Sequence, residues 1–498
     1  MAAKKSAGQA KAKAAKAKSC PLGIAPEATF TEVLDELGRF TGTSAMELGH
    51  LARFEATARR AERAAELCRR ALASTEQLRR WVFAGAVTGA IDALARAGGH
   101  EALVAALVEA AFALVKEGDA DESFHDRQSR LASWFDLGVA AVGAKLAARG
   151  TELIDGALSA LPAGREGVDS PLVAKAAGAL LAVGDLARAR QALARRSHDL
   201  RFPLEACAHR GDLEGLKLLL EFCSDYDTRD AAELSARRGR ADLVELLLPR
   251  LAKTEPMAAS VVEARLAARG DAATWASLLT RSFATSVQAG TVVGATLVDA
   301  VGPSKLPELL PPLEAALRAA PFADFQPWWR CLGALAAGGR DVGELVSRAS
   351  GHPGPLLEAL SHGAAHRDAV AALAEEVTGG TGPELARVAA GLLRAGHAEA
   401  SAGFLEKALE AAGSDRFKCV DVALELAAVN SAEGVWSALK QVSKARRINA
   451  LEDLISAVGQ RGQFALVLGL LRTEPTLAWN TAFQAGFGCS LAFERLQR

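Results

Sequence analysis

Phe202–Arg250 reads FPLEACAHRGDLEGLKLLLEFCSDYDTRDAAELSARRGRADLVELLLPR. Two units stand out in it. Each is an Ala-rich run, an Arg-Gly pair and a Leu-rich run. Arg210-Gly211 precedes Leu213, Leu216, Leu219 and Leu220, and Arg238-Gly239 precedes Leu243, Leu246, Leu247 and Leu248. The two glycines are 28 residues apart. Each unit is expected to be a helix, a glycine turn and a second helix. Two helices of three turns with short loops need a step of about 30 residues, which is the mark of a helical solenoid.

The composition points the same way. Half of the 498 residues are hydrophobic, enough for a large core, while aromatics make up only 5%. Ala and Leu dominate, and both lose little side-chain entropy in a helix. An all-α fold is therefore expected and an all-β fold disfavoured. Net charge is −1, but residues 1–20 hold six lysines and no acid, which leaves the remainder at −7. A slightly acidic body with a basic tail does not coat nucleic acid as a whole. Seven cysteines, an odd number with no CxxC spacing, argue against a disulfide framework and for a reducing compartment. The basic start is not followed by an apolar stretch before Cys20, and the weakly polar run from Val287 to Val301 is too short to span a bilayer. A cytoplasmic protein without membrane association is expected.

Residues 1–26 form a Lys/Ala-rich tail, expected to be disordered. It is either a solubilising tail or, through residues 1–20, an anchor to nucleic acid by counterion release. Order is expected from Thr29, which has capping-box spacing to Glu32. Ser44 and Glu47 repeat that spacing ahead of one long helix to about Leu72. Candidate turn residues follow at Gly99, Gly150, Gly184, Gly211, Gly239, Gly270, Gly302, Gly339, Gly363, Gly396, Asn430, Gly462 and Gly488. The step from Gly99 to Gly150 is 51 residues, so it hides an insertion or a missed unit around Glu117–Asp126. Ser170-Pro171, Thr254-Glu255-Pro256, Thr381-Gly382-Pro383 and Thr473-Glu474-Pro475 place a cap residue just before a proline, a helix-start signal. Residues 302–327 are rich in proline and read as a joint, with a short helix from Leu313 to Ala319. The expected organisation is a tail (1–26), an N-terminal array (27–301), the joint (302–327) and a C-terminal array (328–498).

Phe202–Arg250 resembles ankyrin repeats. Pro203-Leu204 sits where that family's Thr-Pro-Leu-His begins, and Ala206–Gly211 with Asp212–Leu220 follows its helix–turn–helix pattern. LAARG, at Leu146–Gly150 and again at Leu266–Gly270, is similar to the end of its first helix. Phe202 and Glu205 depart from the Thr and His, the second unit lacks the tetrapeptide, and the step is short of the family's length. The resemblance covers about 203–280, with its core at 202–280. Elsewhere Gly184-Asp185-Leu186 with Ala189 and Leu193, and Gly396-His397 with Ala400 and Phe404, resemble the second helix of tetratricopeptide repeats. Both families imply binding of a protein or peptide in a groove, and neither implies catalysis.

Few residues suggest chemistry. Glu358, His362 and His366 have a spacing that could ligate zinc on one continuous helix, but Gly363 interrupts it and the register makes it a turn. Glu117, Asp119, Asp121, Glu122 and Asp126 form an acidic run without the glycine and final Glu of a calcium loop. No Walker loop, GxGxxG after a strand, GxSxG or HExxH is found. No cofactor or metal is expected.

The Arg-Gly pairs carry the functional signal. Arg149, Arg210, Arg238, Arg269 and Arg461 each precede a candidate turn glycine. A cation there meets the negative end of its helix dipole, which is one complete reading. The other adds a basic strip, formed with Arg195, Arg196, Arg237 and Arg240, for an acidic peptide or phosphate. Phe322, Phe325, Trp328 and Trp329 form an aromatic cluster that either fills the core between sub-arrays or acts as a binding hot spot. The candidate partner-binding residues are thus Arg149, Arg210, Arg238, Arg269, Trp328 and Trp329.

The expected fold is an α-solenoid of about 12–13 antiparallel helical hairpins in two sub-arrays. The expected function is a non-catalytic scaffold holding a protein or peptide. The alternative is a nucleic-acid-associated solenoid using the Lys-rich tail and the Arg strip. A third is a helical-repeat enzyme resembling the HEAT-like glycosylases that process nucleobases.

Overall fold

The structure, a computed structural model, describes residues 28–42, 44–74, 80–116, 123–161, 170–194, 199–473 and 478–496. Among these residues there are 28 α-helices, two short 3-10 turns and no strand. The protein is an all-α solenoid of helical hairpins. The tail at residues 1–26, Cys20, the run from Glu117 to Glu122, Arg195, Arg196 and Glu474-Pro475 lie outside the described residues.

The chain divides into two units. The larger takes Thr41–Thr378, Gly391–Ala398 and Phe493–Arg498; the smaller takes Met1–Phe40, Gly379–Ala390 and Glu399–Ala492. In the larger unit the first helices of successive hairpins stack in one row: Ala45–Thr57, Arg80–Ala97, Phe124–Gly143, Ser170–Ala182, Arg201–Arg210, Arg229–Arg237, Pro256–Ala267, Val287–Ala300, Gln326–Ala337 and Pro353–Leu360. The second helices pack against their own hairpin partners and make the other layer.

The Phe202–Arg250 stretch folds as two such hairpins. Gly211 (φ 74°) and Gly239 (φ 71°) take the left-handed conformation that ends the first helix of each. Asp212 then caps Leu213–Leu220 by accepting a hydrogen bond from the Gly215 amide at 2.8 Å. The interior is small on one side and branched on the other. Leu204, Cys207, Ala208, Ala231, Ala232 and Ala236 meet Leu216, Leu219, Leu243 and Leu247, all buried. Alanine on the stacking row lets successive helices approach closely, and leucine fills the space between the layers.

Other turns follow the same rule in part. Gly99, Gly184, Gly339, Gly396 and Gly462 have positive φ, as does Asn430 (φ 54°), the residue that tolerates this region best after glycine. Gly270, Gly302 and Gly363 lie between helices without positive φ. Gly150 and Gly488 are not turns but lie inside helices. A Cβ on Gly150 would stand 2.4 Å from Val142 Cγ2 and 2.8 Å from the Gly138 carbonyl; one on Gly488 would stand 2.6 Å from the Ser456 carbonyl. Both are contact points where a second helix crosses. The turn near Gly150 is made by Lys145 (φ 65°), and the long step after Gly99 is filled by Glu101–Val115 and Phe124–Gly143.

Two helix boundaries differ from the sequence reading. The long helix expected from Ser44 to Leu72 is two helices, Ala45–Thr57 and Ala61–Ala73, broken at Arg59 (φ 62°). Glu55, 2% exposed, pairs with Arg60 at 3.2 Å across that break. The helix expected at Leu313–Ala319 starts earlier and spans Leu306–Ala319, with Pro311 and Pro312 inside it. Burial of Leu309, Leu310, Leu313 and Leu317 on one face outweighs the lost N–H donors of the prolines.

In the smaller unit Arg416–Ala427 stacks on Lys444–Gln460, which forms a hairpin with Phe464–Thr473. The first described helix, Phe30–Leu37, packs on Phe464–Thr473. It begins with the expected capping box of Thr29 and Glu32. Phe30 lies 5.9 Å from Phe464 between ring centroids. Glu36, 5% exposed, pairs with Arg39 at 2.8 Å and Arg472 at 3.3 Å.

Candidate functional site

Arg210, Arg237, Arg238, Arg240 and Arg269 line one open basin of about 510 Å³ with Ala208 and His209. The basin lies in the larger unit. Each arginine sits at or just past the end of a stacking-row helix, so the helix repeat brings them together from three successive hairpins.

Capping accounts for part of what these arginines do, but not for their own helices. Arg269 donates from Nη2 to the Arg237 carbonyl at 2.6 Å, and Arg238 donates from Nη1 to the His209 carbonyl. Each thus reaches one hairpin back. Arg240 donates to the Gly211 carbonyl at 3.2 Å and forks onto Asp242 at 2.7 and 3.0 Å. Arg210 is held more loosely, with Nη2 3.4 Å from Cys207 Sγ and 3.8 Å from Asp212. Arg237 donates to Glu233 at 3.3 Å.

No carboxylate lines the basin; Glu233, Asp212 and Asp242 pair with its arginines from outside that lining. Burial pushes the Glu233 carboxyl up, but the guanidiniums of Arg265, Arg237 and Arg229 more than offset it, so it stays below the usual range. The Arg240 fork holds Asp242 below the usual range in the same way. Burial pushes the Cys207 thiol up to about 12, so it is no thiolate beside Arg210. The arrangement presents several oriented guanidiniums to an anion and offers no nucleophile or general base.

Arg210, Arg238 and Arg269 therefore converge, together with Arg237 and Arg240. Arg149 does not join them. It sits inside the Ala147–Ser159 helix, paired with Glu109 at 2.7 Å and Glu152 at 2.8 Å, over the Phe112 ring at 5.0 Å. Arg461, in the smaller unit, donates to the Leu424 carbonyl at 3.0 Å. Trp328 and Trp329 are 1% and 4% exposed and pack edge to face 4.9 Å apart, with Phe322 against both. Trp329 donates to Asp324 at 3.0 Å. Glu358 ends up on Pro353–Leu360 while His366 lies in the separate 3-10 turn Ala364–His366, so they share no continuous helix with His362. Among the described residues no group of three or more His, Cys, Asp or Glu is arranged to hold a metal ion. Asp126 is the N3 residue capped by Ser123, which it contacts at 2.7 Å.

A second cavity, of about 270 Å³, adjoins the basin and shares His209 and Arg238 with it. It adds Arg59 and Arg96, which the sequence reading missed. Arg96 carried a weaker signal, since it stands two residues before the Gly98-Gly99 turn rather than directly before it. Arg59 carried none, because a non-glycine turn inside a run of helix formers leaves no mark.

No family model matches the chain, and no curated protein matches it. Among solved structures it is similar to a circular tandem repeat protein with novel repeat topology and enhanced subunit contact surfaces. The two are 13% identical over 94% of this chain and 98% of that one, with a TM-score of 0.19, too low for the likeness to bear on function. The class is defined by the helices themselves: this is a helical-repeat protein. Among the described residues no helix is long and apolar enough to cross a membrane.

Proposed function

We propose that the protein is a non-catalytic helical-repeat scaffold that holds an acidic segment of a protein partner in its arginine basin. The observation that supports this reading is the convergence of five arginines from successive hairpins on a basin lined by no carboxylate. Arginine suits the task because its planar fork matches a carboxylate and its charge is permanent. A repeat array presents such a strip on one edge without any loop having to order on binding.

The test is fluorescence anisotropy with a labelled hexaglutamate peptide at low salt. Binding that weakens as salt rises is the expected result. Arg210→Glu is the informative variant, because Arg210 makes none of the carbonyl caps that hold adjacent hairpins. Retained helicity with lost binding supports the basin; unchanged binding in that variant rules it out.

A further inference from the structure

We infer that the anionic group the basin takes is a phosphorylated serine or threonine, with the neighbouring residues of the same segment lying over His209 and Arg238 into the adjoining cavity. This rests on the acidic-segment reading and narrows it. A carboxylate occupies one guanidinium fork. The phosphate dianion has more charge and more acceptor oxygens, and so can engage several forks together. Five guanidiniums around one basin exceed what a single carboxylate can use.

These guanidiniums are also pre-positioned. Arg269 and Arg238 are tied by one edge to the Arg237 and His209 carbonyls, and Arg240 is tied to Asp242 and Gly211. Holding the forks before the ligand arrives lowers the ordering cost of binding. Arg210, touched only by the Cys207 sulfur and distantly by Asp212, is the arginine able to move onto an incoming phosphate.

The adjoining cavity suits the flanking chain. Ala56, Ala93, Ala97 and Phe493 give it apolar walls, with Arg59, Arg96, Thr57 and Glu494 among them. That mixed lining fits peptide side chains better than a row of phosphates. The basin itself has no aromatic ring, so it lacks the stacking platform that single-stranded nucleic acid uses.

Anisotropy with four labelled probes tests the proposal on the full chain. Three are one nonapeptide, Ala-Gly-Ala-Ala-X-Leu-Ala-Gly-Ala, with X as phosphoserine, glutamate or serine. The fourth is an oligothymidylate of similar length. The phosphoserine peptide is expected to bind about tenfold tighter than the glutamate peptide or better, and the serine peptide not at all. Arg210→Gln should abolish the preference for phosphoserine with helicity unchanged, whereas Arg149→Gln should leave it intact. Equal binding of phosphoserine and glutamate peptides overturns the phosphate assignment and leaves the acidic-segment reading standing. Failure of both to bind at about 1 mM removes that reading as well. Tighter binding of oligothymidylate than of the phosphoserine peptide overturns the proposal in favour of nucleic acid.

Discussion

Arg269 donates a hydrogen bond from Nη2 to the backbone carbonyl of Arg237, across one hairpin. The same tie recurs along the array. Arg238 reaches His209, Lys305 reaches the Gly270 carbonyl at 3.3 Å, Arg348 reaches Arg318 at 2.8 Å and Arg461 reaches Leu424 at 3.0 Å. The arginines meet carbonyls in the last turn of a helix of the preceding hairpin, and Lys305 meets one in the turn that follows such a helix. Arg238→Ala should therefore lower stability by about 1–2 kcal/mol, and the more exposed Arg269→Ala by about 0.5–1 kcal/mol. Urea denaturation measures both. If Arg269→Lys restores nothing, charge at that carbonyl is not what the arginine contributes.

Turn conformation gives a second prediction with opposite signs at two kinds of site. Gly211→Ala and Gly239→Ala should each cost about 1–2 kcal/mol, because φ is near 70° at both. A Cβ on Gly211 would also press on the Arg240 guanidinium. Asn430→Gly should be neutral or slightly stabilising, while Asn430→Ala should destabilise by about 1 kcal/mol. Thermal melting of the three alanine variants beside Asn430→Gly decides the matter.

Gly138 and Gly150 face each other where Phe124–Gly143 crosses Ala147–Ser159. A Cβ on Gly138 would stand 2.6 Å from Ile154 Cγ1 and 3.2 Å from the Gly150 carbonyl. Gly150→Ala should cost about 2–3 kcal/mol, since backbone as well as side chains must separate. A helix-propensity argument alone predicts the reverse, a gain of roughly 1 kcal/mol. The sign of the shift in urea midpoint separates the two.

Acid should weaken the array through its capping and arginine-paired carboxylates. Asp271 is held below its ordinary value of 3.8 by the Thr274 amide and then the Thr274 hydroxyl, and Glu233 and Asp242 are held low by arginines. Their folded values lie below their unfolded ones. The stabilisation is complete above the unfolded values and is lost as pH falls through them toward the folded ones. The urea midpoint should fall between about pH 5 and pH 3, and Asp271→Asn, which keeps a cap, should flatten that fall. An acid limb of unchanged steepness in the variant would show that Asp271 does not contribute.

The fold was legible because its two strongest signals are local. Gly211 and Gly239 mark turns by their position between apolar runs, and Asn430 was found by register where glycine was missing. Gly150 and Gly488 misled because a helix-crossing glycine and a turn glycine are the same letter, and only the partner helix tells them apart. Lys145 and Arg59 were invisible, since nothing in Ala144-Lys145-Leu146-Ala147 or Ala58-Arg59-Arg60-Ala61 forces a positive φ. At the site, the arginines were legible but their targets were not. Sequence spacing places Arg238 beside Gly239; it does not give the offset between stacked hairpins that carries its guanidinium to His209. Arg149 is excluded for a different reason: its turn lies at Lys145, so it falls inside the following helix.

Phe30 and Glu36 meet Phe464 and Arg472 within the smaller unit. On a ribosome adding about 5–20 residues per second, the Phe30–Leu37 helix emerges roughly 20–90 s before Phe464 exists. Its apolar stripe must wait that long without its destination. The larger unit can nucleate and extend between neighbours as it is made, but the smaller one cannot close this contact until Phe464–Thr473 has been added. The early helix is therefore the segment on which a chaperone, or an unwanted neighbour, has longest to act.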